Sequence, residues 1–173
     1  MPTSPKIYRG TDALRRGRNN LQGANYFITC CLKRPFSGLI QPAIAPHIFA
    51  QMREIEAYNV CHIRTLVLMP DHIHLLMTVG PKADLSEAMR LFKGPLTPLL
   101  RQQGLQWQES FYDHRLRATD ELLPTFLYIF LNPYRAGLIA AGQKWPWYEC
   151  ASEDWQWFGG MTNDALPFPE WLQ

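Results

Sequence analysis

The chain has 173 residues, a formal net charge of +2, 47% apolar and 18% charged side chains, which admits one well-buried core and leaves too little for two. No apolar run approaches the ~20 residues of a membrane span, no apolar stretch follows the N-terminal Met-Pro-Thr-Ser-Pro-Lys, and no Gly-rich phosphate loop announces a nucleotide cofactor. Cys30, Cys31, Cys61 and Cys150 show neither C-x-x-C spacing nor a disulfide framework, so a cytoplasmic protein with reduced thiols and no membrane partner is expected.

Charge is unevenly spread. Residues 1–34 carry seven Lys/Arg against Asp12, a balance of +6, whereas residues 146–173 carry five acids and no Lys/Arg, a balance of −5. Residues 1–22 lack hydrophobic periodicity and read as a basic arm, with Arg15, Arg16 and Arg18 its densest cluster. Such an arm suits a phosphate-backbone partner through counterion release; a solvated leader that serves solubility is the alternative. Residues 23–144 form the expected central domain, and 145–173 an acidic, aromatic-rich extension packed on it.

Ala24 to Leu32, with Tyr26, Phe27, Ile28 and Thr29, predicts a strand. Pro35 to Pro46 is a connection, and Ile48 to Tyr58 an amphipathic helix with Ile48, Met52 and Ile55 on its apolar stripe. Cys61 to Met69 and His72 to Val79 predict a hairpin about the Pro70-Asp71 turn. Asp84-Leu-Ser-Glu87 has capping-box spacing, with Asp in place of Ser or Thr; the helix it opens is expected to break or kink near Gly94-Pro95, reinforced by Pro98. Phe111 to Arg117 predicts a short edge strand. Asp120 to Leu131 predicts a helix, with Pro124 tolerated in its first turn and Gly137 its terminator if it survives Pro133. The fold expected is α+β: a ferredoxin-like split β-α-β with a four-stranded antiparallel sheet, followed by a last helix and an aromatic tail. One sheet face lies under helices, and the other is free for a ligand or the last helix.

His72 and His74 stand in Met69-Pro-Asp-His-Ile-His-Leu75. Positions i and i+2 of a strand share a face, so both imidazoles point one way while Ile73, Leu75, Met77 and Val79 point into a core. Two neutral imidazoles can hold one divalent ion if a third group approaches from another element. Ordinary strand histidines paired with carboxylates would carry the same pattern. Tyr128 and Asn132 lie four apart on the last helix and so share a face, although Pro133 biases Asn132 away from helical dihedrals. An amide oxygen suits a hard ion such as Mg2+ or Mn2+. Tyr134 falls about 240° round from Tyr128 at ~3.6 residues per turn, which makes it a packing or stacking residue. On the edge strand Tyr112 and His114 share one face, Arg115 and Arg117 the other.

Three separated blocks resemble the REP-associated tyrosine transposases, single-tyrosine members of the HUH endonucleases: Met-Pro-Asp-His-Ile-His-Leu-Leu, Trp107-x-x-Ser110-Phe111-x-x-His114, and Tyr128-Ile129-x-x-Asn132-Pro133-x-Arg135-Ala136-Gly137-Leu138. The resemblance spans about residues 20–150. It implies His72, His74 and Asn132 as ligands of Mg2+ or Mn2+, Tyr128 as nucleophile on a catalytic last helix, and single-stranded or hairpin DNA as substrate, cut to a 5′-phosphotyrosine and a free 3′-hydroxyl. Lys93 occupies a position where the family often has Lys, though the neighbouring prolines depart from the pattern; Lys93, Arg115, Arg117 and the arm arginines are the expected DNA contacts. Related insertion-sequence transposases are dimers that exchange catalytic helices, whereas the REP-associated group acts singly, so a monomer is expected over a homodimer.

The alternative is a catalytically retired DNA-binding protein of the same fold. A histidine-triad nucleotidyl hydrolase is disfavoured, since Leu76 stands where its third histidine belongs. The tail tryptophans Trp145, Trp147, Trp155, Trp157 and Trp171 can stack on bases or cover a core edge; the tail's negative charge favours the second.

Overall fold

In the computed structural model, which describes residues 23–33, 37–117, 120 and 122–173, strand β3 (His72–Val79) runs through the middle of a five-stranded antiparallel sheet. β1 (Asn25–Cys31) and β2 (Cys61–Leu68) flank it, β4 (Tyr112–Leu116) adds outside β1, and β5 (Tyr148–Cys150) outside β2. The order β4-β1-β3-β2 is the expected split β-α-β plan. The fifth strand corrects the four-stranded expectation. Its three residues are too few to carry an alternating pattern, and it forms by pairing with Thr65 to Val67 of β2.

Alternation along β3 divides two cores. Ile73, Leu75, Met77 and Val79, with Ile28 and Cys30 of β1, bury against helices α1 (Ala45–Ala57) and α2 (Leu85–Gln102). Leu76 faces the other way with Val67, and there helix α3 (Leu122–Arg135) lays Phe126, Ile129 and Phe130 across the sheet. The face left open in the sequence-based plan is thus taken by the last helix.

The break expected in the second helix is absent, and the helix left open at Pro133 continues through it. At the start of α2 the Asp84 carboxylate accepts the Glu87 backbone N–H at 2.8 Å, which is the N-cap half of the box. The Glu87 carboxylate turns outward to Arg90. The helix then runs through Gly94, Pro95 and Pro98 to Gln102. Pro95 lacks the N–H that would serve the Leu91 carbonyl, and the Gln51 side chain of α1 donates to that oxygen instead, at 3.2 Å. A neighbouring helix thereby supplies the missing partner. Similarly, α3 continues through Pro133. It closes with Gly137 at φ +68°, the Leu138 N–H reaching the Pro133 carbonyl and the Gly137 N–H that of Tyr134, each at 3.0 Å. This is a Schellman cap.

The acidic extension is fastened to the sheet. Trp145 Nε1 donates to the Leu68 carbonyl at 3.1 Å, Trp147 stacks on Phe49 with centroids 6.1 Å apart, and Phe158 of helix α4 (Ser152–Phe158) is fully buried. Trp155, Trp157 and Trp171 pack on the same cluster as Phe126 and Phe130, so these aromatics cover core. Asp154 is 3% exposed and grips Arg64 of β2 with both oxygens, at 3.0 Å to Nε and 2.5 Å to Nη2.

Removing one partner of a buried, bidentate pair strands the other. Asp154→Ala is therefore expected to lower the unfolding free energy by about 3 to 5 kcal/mol, read by urea titration. A loss below about 1 kcal/mol, the range of exposed pairs, would mean that the aromatic contacts alone hold the extension.

Candidate active site

β3 begins with His72, and the antiparallel register places Thr29 of β1 and Val67 of β2 directly opposite His74. Opposed residues of adjacent strands project to one side, so both imidazoles emerge on the face that α3 covers. Their Nε2 atoms stand 3.0 Å apart. The outer nitrogens are each occupied: His72 Nδ1 lies 2.7 Å from the Asp71 carboxylate, and His74 Nδ1 lies 2.8 Å from Thr29 Oγ1. The Phe27 ring stacks beside the His74 imidazole at 5.5 Å, with 23° between the planes.

Tyr128, in the second turn of α3, leans onto this pair. Its hydroxyl is 3.5 Å from His74 Nε2, a long contact at the limit of hydrogen bonding, and its ring meets Phe27 edge-on at 5.6 Å. The side chain stays 44% exposed, so solvent and solutes reach the phenol. Asn132 follows one turn later in an unbroken helix and is half-buried. The dihedral bias expected from Pro133 does not move it off the helix. Its amide makes no hydrogen bond to another described residue, which leaves the oxygen available. Tyr134 is buried, its hydroxyl donating to the Gln143 carbonyl at 2.9 Å, and burial raises its pKa. It is a packing residue.

At 3.0 Å one Nε2 can donate to the other if its tautomer carries the proton there; with both protons on the outer nitrogens, the two inner lone pairs converge on one point, where a cation could be bound by both. Among the described residues no group of three or more His, Cys, Asp or Glu is arranged to hold a metal ion. Any further donor to such a cation would therefore be of another kind, such as an amide oxygen, water or a phosphate.

The expected DNA contacts do not all gather here. Lys93 lies on α2, its Nζ donating to the Gln108 carbonyl at 2.8 Å and standing 5.9 Å from the Trp107 ring centroid; burial lowers its pKa. Arg115 is exposed and opposes Tyr26, on the sheet face away from the imidazoles. Arg117 is exposed just past the end of β4, its backbone N–H donating to Asp120. Arg15, Arg16 and Arg18 lie outside the described residues. Tyr112 opposes Thr29 on the imidazole face, meets the Phe27 ring edge-on at 6.4 Å and is 55% exposed. Thr29, Asp71 and Phe27 were missed as site residues. Asp71 is legible as the carboxylate preceding a strand histidine, whereas Thr29 is found only through the register.

The profile of the family described as "Transposase IS200 like" matches residues 21–119, a stretch that includes both histidines and ends before Tyr128. A REP-associated tyrosine transposase of Escherichia coli K12 is 26% identical over 133 residues, 75% of this chain and 78% of that protein. A provisionally named REP-associated tyrosine transposase of Haemophilus influenzae is 27% identical over 162 residues, 80% of this chain and 90% of that protein. The solved structure of a REP-associated tyrosine transposase bound to a REP hairpin aligns with a TM-score of 0.64 at 21% identity, covering 86% of this chain and 82% of that one. The two share a fold.

Burial, with His72 adding to it and Asp71 opposing, pushes the His74 imidazole down to about 3. An unfolded chain returns it to ~6.5. Between those values the unfolded state binds a proton that the folded state refuses, so stability falls as pH drops through that window, by at most about 1.4 kcal/mol per pH unit. Urea unfolding of the metal-free protein at stepped pH should show this slope, and His74→Gln should flatten it. Equal slopes in the two proteins would exclude His74 as the responsible group.

Proposed function

The chain belongs to the IS200-like transposase family, and on that premise we propose that it nicks and rejoins single-stranded or hairpin DNA through a covalent bond to Tyr128. The observation that carries this reading is the phenol of α3 standing 3.5 Å from His74 Nε2, beside a histidine pair whose inner nitrogens converge. A phenol has a pKa near ~10 and is a poor nucleophile at neutral pH without help. Held by His72, His74 and Asn132, a Mg2+ or Mn2+ ion would supply positive charge at a non-bridging oxygen of the scissile phosphate.

Tyr128 Oη then attacks phosphorus in line while the bond to the 3′-oxygen breaks. The phenol loses its proton and the departing oxygen gains one, which leaves a 5′-phosphotyrosine and a free 3′-hydroxyl. Because the phosphodiester is exchanged rather than hydrolysed, rejoining by the reverse attack needs no nucleotide cofactor. The exposure of Tyr128 lets a strand reach it, and the Phe27 edge limits where the ring can swing. Both Tyr128 and His74 come from one chain, which supports a monomer as the acting unit.

Tyr128→Phe removes only the attacking oxygen. It is expected to keep hairpin affinity while abolishing the covalent protein–oligonucleotide adduct seen on denaturing gels with Mg2+ or Mn2+, and chelation of the metal should abolish the adduct of the wild type. Failure of the wild type to form an adduct with any hairpin would instead mark a DNA-binding protein that has lost its chemistry.

The basic arm supports backbone contact. Replacing both Arg15 and Arg16 by Ala should weaken binding to all sequences alike and reduce the slope of log K against log salt by about 1 to 2. An unchanged slope would mean the arm is only solvated.

A further inference from the structure

We infer that Thr29 is a positioning residue that holds the His74 imidazole with its proton on Nδ1 and its Nε2 lone pair aimed at the point faced by His72 Nε2. The inference rests on the reading of the histidine pair as a cation site. His74 is 5% exposed on the central strand, so its ring has little access to water. Among the described residues its Nδ1 has one polar partner, Thr29 Oγ1 at 2.8 Å. The register brings the two side chains together, because Thr29 is the residue directly opposite His74.

Tautomer decides whether the inner site works. A neutral imidazole carries one N–H and one lone pair. On His72 the outer nitrogen faces the Asp71 carboxylate at 2.7 Å, and an ionised carboxylate only accepts, so the proton is outer and the lone pair inner. His74 needs the same assignment. With the proton on Nε2 it would point hydrogen at the site and block it. The Thr29 hydroxyl, 2.8 Å from Nδ1, can donate or accept; in the acceptor role assigned to it here it keeps the proton outside, and the Phe27 ring stacked at 5.5 Å fixes the plane in which it does so. Unlike a second carboxylate, Thr29 adds no negative charge inside the sheet. The two imidazoles are therefore oriented by unlike partners, one charged at the exposed strand end and one neutral in the interior.

Thr29→Val preserves β-branching and bulk while deleting the oxygen; Thr29→Ser keeps the oxygen. The full-length proteins are titrated with Mn2+ alone, free Mn2+ being followed by electron paramagnetic resonance, and the metal-free proteins are examined by long-range 1H–15N correlation of the imidazoles. Thr29→Val is expected to weaken Mn2+ about 10- to 100-fold, the usual effect of losing an outer hydrogen bond to a ligating histidine, with Thr29→Ser recovering most of it. The His74 proton should sit on Nδ1 in the wild type and redistribute to Nε2 in Thr29→Val. Equal Mn2+ affinity in wild type and Thr29→Val, or a wild-type His74 protonated on Nε2, overturns the inference. If the wild type takes up no Mn2+, the cation reading falls. The spectra then still decide the role of Thr29: redistribution in Thr29→Val supports it and an unchanged tautomer overturns it.

Discussion

One strand has to serve two faces. β3 is flanked on both sides and covered above and below, so its period of two sends Ile73, Leu75, Met77 and Val79 into one core while His72, His74 and Leu76 meet α3. A slip of one residue in its pairing would exchange these sets, placing imidazoles in an apolar interior and aliphatic side chains under Tyr128. Burial of the aliphatic set thus fixes the histidines, and the energy that holds the fold together also aims the rings.

The side chains around the pair come from separate parts of the chain, and each is placed by a backbone rule. Thr29 is set by strand pairing, Asp71 by the turn that precedes β3, and Tyr128 by the helical phase that buries Ile129 and Phe130. The helix that carries the phenol is seated on the sheet by Phe126, which packs against Phe158 of the extension. In this sense the extension belongs to the mechanical support of the site, although it contributes none of the converging atoms.

Much of this was legible in the sequence. Alternation revealed the strands and helical spacing the helices, while the His-x-His spacing and Tyr128 on the helix after the edge strand named side chains that the structure brings together. Misreadings arose where tertiary partners override local rules. Pro95 signals a break, yet Gln51, some forty residues earlier, satisfies the carbonyl it orphans. β5 has no pattern of its own and exists because β2 has a free side. Thr29 looks like any strand threonine until the register pairs it with His74. Such information lies between elements, where no window along one segment contains it.

β5 also has a consequence for solubility. The outer side of β2 presents a row of peptide groups, and three residues of the extension pair with Thr65 to Val67 there. A chain cut before Trp145 would leave this border bare beside the uncovered aliphatic and aromatic residues of α3, a template on which further copies can add strands. Self-association would then be the hazard of truncation. The short fifth strand guards against it by ending the sheet.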